Sequence, residues 1–300
     1  MKKVFLLSFI LASVSAIQAC EICGVNNFYI GVLPQFNHKF LGVRYHFNSF
    51  NTRLADDATQ YSKDFYQTVE LWGGWNVSKK VQLFTFVPFS HNHQNSDEGI
   101  SKRSGLGDIV LLANYKVLDI NSVSSSDKVL SQQLWIGGGV KLKTGKFKID
   151  SNDSDVGSSA NGQLGSGSTD ILLNAMYNVR IQKLGINTTA TYKVSSTNND
   201  QYRFGDKVTA SSFLFYPLLV SKSIINPNLG LIFERTSPGE LENTKMALTG
   251  GSILLGSGGV DLSFNKVAVG FNAQLPLAQD FAENQTRAKV KGTAHISFAF

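Results

Sequence analysis

Residues Arg287–Phe300 read RAKVKGTAHISFAF. Taken alternately, Ala288, Val290, Gly292, Ala294, Ile296, Phe298 and Phe300 make one face. Arg287, Lys289, Lys291, Thr293, His295, Ser297 and Ala299 make the other. Successive strand side chains point to opposite sides, so this stretch is an amphipathic strand with one apolar and one polar face. It closes on an aromatic residue. Such a strand fits the edge of a soluble sandwich or the wall of a membrane barrel, and the remainder of the chain decides between them.

Working back from this strand, the same alternation recurs. Phe40–Phe50 sets Leu41, Val43, Tyr45 and Phe47 against Gly42, Arg44, His46 and Asn48. The clearest case, Leu184–Ser195, carries Leu184, Ile186, Thr188, Ala190, Tyr192 and Val194 on one side. Further strands are expected near 63–77, 80–90, 105–119, 130–144, 166–181, 204–219, 226–236, 252–264 and 267–277. In the third of the twelve, alternation is poor because Phe84 and Phe86 share a face with Gln82.

The connections come in two kinds. Those after odd-numbered strands are longer and polar, including His91–Ser104 and Gly145–Leu164. Several after even-numbered strands are pairs such as Ser78-Lys79, Gln182-Lys183 and Asn265-Lys266. Alternation of long loops with short turns, on strands longer than the ~5–6 residues of soluble sheets, is the pattern of a membrane barrel. Every backbone polar group must be paired in hydrocarbon, and strands achieve this only by closing. The expected fold is therefore all-β, a 12-stranded antiparallel up-and-down transmembrane β-barrel, with both termini periplasmic and Phe40–Phe50 beside the final strand.

Composition agrees. Charged residues are 17% of the chain, below the typical ~25%, and there are 27 glycines, 6 prolines and 21 phenylalanines. The start is a secretory signal: Lys2 and Lys3, an apolar core over Val4–Val14, then Ser15, Ala16 and Ala19. Three segments are expected: signal peptide 1–19, a periplasmic Cys-x-x-Cys segment 20–37, and the barrel 38–300. Loss of the two lysines takes the net charge from +6 to +4. No basic cluster with interleaved aromatics accompanies it, which argues against nucleic acid.

Cys20 and Cys23 allow a local disulfide, lipidation of Cys20, or, with His38, a copper or zinc site. The same segment is a candidate surface for a periplasmic partner. Gly24 stands where a haem-attachment motif needs histidine.

A final amphipathic strand closing on Phe resembles the terminal strand of bacterial outer-membrane barrels, which implies outer-membrane lipid and the barrel-assembly machinery as partners. A second resemblance lies in a repeat. Gly105-Leu106-Gly107-Asp108-Ile109-Val110-Leu111-Leu112-Ala113-Asn114-Tyr115 is echoed by Gly165-Ser166-Gly167-Ser168-Thr169-Asp170-Ile171-Leu172-Leu173-Asn174-Ala175-Met176-Tyr177. A strand rather than a helix follows each glycine pair, so a nucleotide loop is disfavoured and a kink at the barrel rim is expected. With Val87–Ser90 and Ala273–Gln279, these segments resemble the outer-membrane transporter family of phenol-degradation pathways (MetA-type β-barrel proteins). The resemblance implies a channel of a Gram-negative outer membrane, in some members linked to uptake of hydrophobic compounds. The cysteine segment departs from that pattern.

The phase of the alternation nominates lumen-lining residues: Arg44, His46, Glu70, Asp108, Lys116, Lys141, Asp170, Lys193, Glu234, Lys289, Lys291 and His295. With Lys143, Arg180, Asp261 and Arg287 the expected inner set is nine basic and five acidic, which favours anionic or polar small-molecule solutes if the charges are not paired. His46 and His295 become neighbours on closure. His91 and His93 are expected in an outer loop. Ser90-His91 is the only local nucleophile–base candidate, and adjacent strand residues face opposite ways, so no enzyme is expected.

Overall fold

β1 (Phe40–Arg53) pairs antiparallel with β2 (Tyr61–Asn76) along its length, and its other edge pairs with the end of the chain, β17 (Thr286–Ala288) and β18 (Lys291–Ala299). That pairing closes a barrel. The computed structural model describes residues 39–53, 61–96, 99–123, 129–148 and 160–300. The expected signal, Cys20, Cys23, His38 and the segment 25–37 therefore lie outside the described residues.

From β2 the wall continues through β3 (Val81–Ser96), β4 (Gly99–Leu106) with β5 (Val110–Val123), β6 (Val129–Lys141), β7 (Asp170–Ile181) and β8 (Leu184–Val194). Beyond the short β9 (Tyr202–Arg203) it runs through β10 (Lys207–Phe215) with β11 (Leu218–Val220), then β12 (Ser223–Thr236). Past β13 (Glu240–Leu241) and β14 (Thr244–Lys245), β15 (Gly251–Phe264) and β16 (Val267–Phe281) lead to the closing strand. Counting β4–β5, β10–β11 and β17–β18 as single wall strands gives the twelve-stranded antiparallel barrel. Following paired residues once around from Phe40 returns to β1 at Thr52, the stagger that tilts strands in a closed barrel.

One end carries tight turns, at Gln182-Lys183, Ser221-Lys222 and Asn265-Lys266; their first residues, Gln182, Ser221 and Asn265, have positive φ. This is the turn end, and the longer connections form the loop end. The outer wall is apolar: Leu41, Val43, Tyr45, Val69, Leu71, Phe271, Ile296 and Phe298 are all exposed.

Three departures from the expected pattern occur. First, the stretch 91–104 is not a loop. Its residues extend β3 and form β4, a hairpin in which Phe89 pairs with Leu106 and Ser96 with Gly99. His91 and His93 are thus strand residues. Where the hairpin leaves the apolar belt, both faces can be polar, so periodicity falls silent. Second, Phe47 pairs with Gly292 but Phe50 pairs with Ala288, so the closing strand carries one extra residue. Such a bulge inverts the faces beyond it. Lys291 is buried, while Lys289 and Arg287 are exposed and leave the lumen set. Third, Phe86 pairs with Val110 but Phe89 with Leu106, a second extra residue at the Gly107–Ile109 break. Lys143, beyond the end of β6, and Arg180 are also exposed.

The poor alternation of β3 reflects an apolar interior. Gln82, Phe84 and Phe86 all point inward. Phe40, Trp72, Phe84, Phe86, Trp135 and Met176 belong to one buried cluster, with Phe40 and Trp72 edge-on at 4.8 Å between centroids. A second cluster contains Phe50, Tyr66, Phe213, Ile232, Leu255 and Phe281.

Candidate functional site in the barrel interior

Between these clusters lies a chamber of about 100 Å³, bordered by His46, Glu70, Asp108, Lys141, Lys193, Glu234 and Lys291. A drug-sized ligand needs a pocket of about 300 Å³ or more, so this space suits water and small polar species.

Arg44, His46 and Glu70 come together because β1 and β2 pair Arg44 with Glu70. Arg44 Nε donates to Glu70 Oε1 at 2.9 Å, and the guanidinium lies 4.8 Å from the Trp72 ring and 5.5 Å from Phe86. Such a cation over aromatic faces is held by the ring quadrupole as well as by the carboxylate. His46 Nε2 is 3.8 Å from the same Glu70 oxygen, and its Nδ1 meets Thr293 Oγ1 at 3.2 Å. His295 does not pair with His46; its Nε2 lies 3.5 Å from Asp261, which also accepts from Asn228 at 3.0 Å.

The two glycine–aspartate repeats converge on one ammonium. Lys141 Nζ is 2.7 Å from Asp108 Oδ2 and 3.0 Å from Asp170 Oδ2, because β6 runs between β5 and β7. Lys193 reaches the same Asp170 oxygen at 3.7 Å. On the other side, Glu234 lies 3.1 Å from Lys207 and 3.9 Å from Lys291, whose ammonium is 5.7 Å from the Phe50 ring. Lys116 bonds Asp119 at 2.7 Å and lies over the Trp135 ring at 4.9 Å. Among the described residues the buried charges are five basic and six acidic, against the basic excess expected. Lys207 and Asp64 were missed: no clear alternation set the phase around Lys207, and Ser62-Lys63-Asp64 sits where a loop runs into a strand.

The connection between β6 and β7 is the other feature without a sequence signature. Residues 160–166 are all buried. Asn92 Nδ2 donates to the carbonyls of Gly162 and Gln163 at 3.2 and 3.1 Å. The Ser166 backbone N–H donates to Asp108 Oδ2 at 2.8 Å, and Asn198 Nδ2 donates to the Ser166 carbonyl at 2.9 Å. Gly107 lets the chain pass: a Cβ there would lie 3.2 Å from the Leu164 carbonyl oxygen. The segment thus folds inward at the loop end, and Gln163 and Leu164 border the chamber.

Above it, β9, β13 and β14 form a small sheet, and Phe147, Tyr202 and Phe204 pack with centroids 4.9–6.0 Å apart. Arg203 bridges Asp206 at 3.0 Å and Glu240 at 3.2 Å. Burial works against its charge, but Asp206 and then Glu240 outweigh it and hold its pKa above the usual guanidinium value. Connections after β6, β8 and β12 are thereby tied into one cap.

Ser90 faces inward and meets Thr68 Oγ1 at 3.1 Å, whereas His91 is exposed and contacts Ser104. No group of three or more His, Cys, Asp or Glu side chains suited to a metal occurs among the described residues.

No family model matches the sequence, and no curated protein does. The fold is similar to that of a COG4313 outer membrane channel from Pseudomonas putida F1, at 15% identity and a TM-score of 0.60, covering 90% of this chain and 100% of that one. It is also similar to the beta domain of the Bordetella autotransporter Brka, at 12% identity and a TM-score of 0.51, covering 88% of this chain and 100% of that one. At these identities the likeness is one of fold.

Proposed function

We propose that this chain is an outer-membrane channel that passes small solutes through a constricted lumen, with its loop end outside the cell and both termini in the periplasm. The observation that carries the proposal is the inward-folded segment 160–166 over a charged chamber, inside a closed wall whose exterior is apolar. A barrel that served only as an anchor needs no polar interior, because an apolar filling satisfies the core. Here charges line the lumen in pairs, which offers hydrated solutes successive donors and acceptors.

The resemblance to phenol-degradation transporters and the fold likeness to an outer membrane channel support the same reading. The near balance of buried charge favours neutral or weakly selected polar solutes over anions. No catalytic step is proposed, since Ser90 and His91 face opposite ways.

Single-channel recording in planar bilayers tests the proposal. Small, resolvable conductance steps with weak ion selectivity are expected. Bilayers that stay as tight as protein-free membranes, for both wild type and a variant lacking residues 160–166, would refute a channel.

A further inference from the structure

The closing-strand bulge has a second consequence on the outer wall. It turns Arg287 and Lys289 outward at the loop end, beside Arg53 and Lys63. Lys63 and Arg287 both pair with Asn51, one from each neighbouring strand. Directly opposed residues have Cβ atoms about 5 Å apart, so these cations flank Asn51 within roughly 10 Å of each other. Arg53 follows on the same face, about 7 Å along the strand.

These four cations line a groove of about 690 Å³, in which Glu283 is the sole acidic lining residue among those described. None of the four forms an ion pair among the described residues. Directly below, on the same strands, the wall turns apolar: Phe65, Val69 and Leu71 on β2, Tyr45 and Val43 on β1, Ile296 on β18 are exposed. Unpaired like charges crowded on one patch repel, and a multivalent anion relieves that repulsion. Arginine adds the bidentate geometry that suits phosphate oxygens.

We propose that this patch binds the phosphorylated headgroup of an anionic membrane lipid, whose acyl chains lie along the apolar wall beneath. The proposal rests on the membrane-spanning reading above, and goes beyond it by naming a lipid class and a site. The match is one of shape as well as charge: cations above and hydrocarbon-compatible side chains below reproduce the two ends of an amphiphile.

The test uses full-length protein in a neutral detergent, titrated with diphosphorylated lipid A and followed by native mass spectrometry. The comparison variant is Arg53→Ser/Lys63→Ser/Arg287→Ser/Lys289→Ser, with Arg287→Ser/Lys289→Ser as a milder form. Lys143→Ser/Lys146→Ser/Lys148→Ser controls for exposed charge elsewhere. Wild type and control should bind the lipid alike, and the fourfold variant at least tenfold more weakly. Dephosphorylated lipid should bind wild type as weakly as the variant binds lipid A. Equal affinity of the wild type and both patch variants, or indifference to the phosphates, would overturn the proposal. So would full displacement of lipid A by an equal concentration of inorganic phosphate, which would mark a free-anion site. Conductance recorded on the same samples keeps the two readings separate: a silent wild type that binds lipid A sinks the channel and leaves the lipid site standing.

Discussion

Lys141 places its ammonium 2.7 Å from the carboxylate of Asp108, and that carboxylate also accepts the backbone N–H of Ser166 at 2.8 Å. One buried ion pair therefore joins the barrel wall to the segment that folds across the lumen. Both partners are almost fully buried, so the pair is poorly screened by solvent, and removal of Asp108 leaves two buried lysines, Lys141 and Lys193, to share Asp170.

Asp108→Ala should release the inward segment and leave Lys141 short of a counter-ion. Conductance is expected to rise severalfold in planar bilayers, and the folded, heat-resistant form should melt at a lower temperature, consistent with about 3 kcal/mol for a broken buried pair. Unchanged conductance with lowered stability would mean that the segment does not limit flow.

The bulge in the closing strand predicts opposite outcomes for two neighbouring lysines. Lys291→Glu should shift reversal potentials toward cation preference, because Lys291 lies inside at 3.9 Å from Glu234. Lys289→Glu should leave selectivity unaltered, because Lys289 is exposed on the outer wall. Equal effects would place both on one face and remove the bulge.

Phe84→Ala should enlarge the lumen on the side of the first buried aromatic cluster. Phe84 is 1% exposed, so truncation leaves a cavity and is expected to destabilise by about 3–5 kcal/mol while raising conductance. A loss of stability without any change in conductance would assign the cluster to packing alone.

Gly137→Val should block folding altogether. A Cβ at Gly137 would overlap the backbone carbonyl oxygen of Ala113, which no side-chain rotation relieves. The expected readout is disappearance of the compact folded band in electrophoresis. Gly138→Ala, whose nearest neighbour would be 3.1 Å away, should keep it.

Much of the wall was legible in the sequence. Period-two alternation, together with the rhythm of long loops and short turns, located the wall strands, because lipid on one side and a polar interior on the other impose that period. It also placed Arg44, Glu70, Asp108, Lys141, Asp170, Lys193 and Glu234 on one face, and the structure buries all of them. Alternation failed where its physical cause was absent. The hairpin of β3 and β4 rises beyond the apolar belt, so His91 and His93 looked like loop residues. The interior of β3 is aromatic, so inward and outward residues there are equally apolar.

The sequence by itself determined the closed wall and the parity of most side chains, since both follow from local chemistry repeated every second residue. Tertiary structure alone decided the rest. A single extra residue at 289–291 is invisible to a period count, yet it inverts every face beyond it and removes Arg287 and Lys289 from the lumen. The balance of inner charge was decided there too: Lys143, Arg180, Arg287 and Lys289 are exposed while Asp64 and Lys207 are buried, which changes an apparent basic excess into near balance. The inward fold of residues 160–166 depends on Asn92, Asp108 and Asn198, which approach it from three separate parts of the chain. Non-local contacts of this kind leave no periodic trace in the segment they hold.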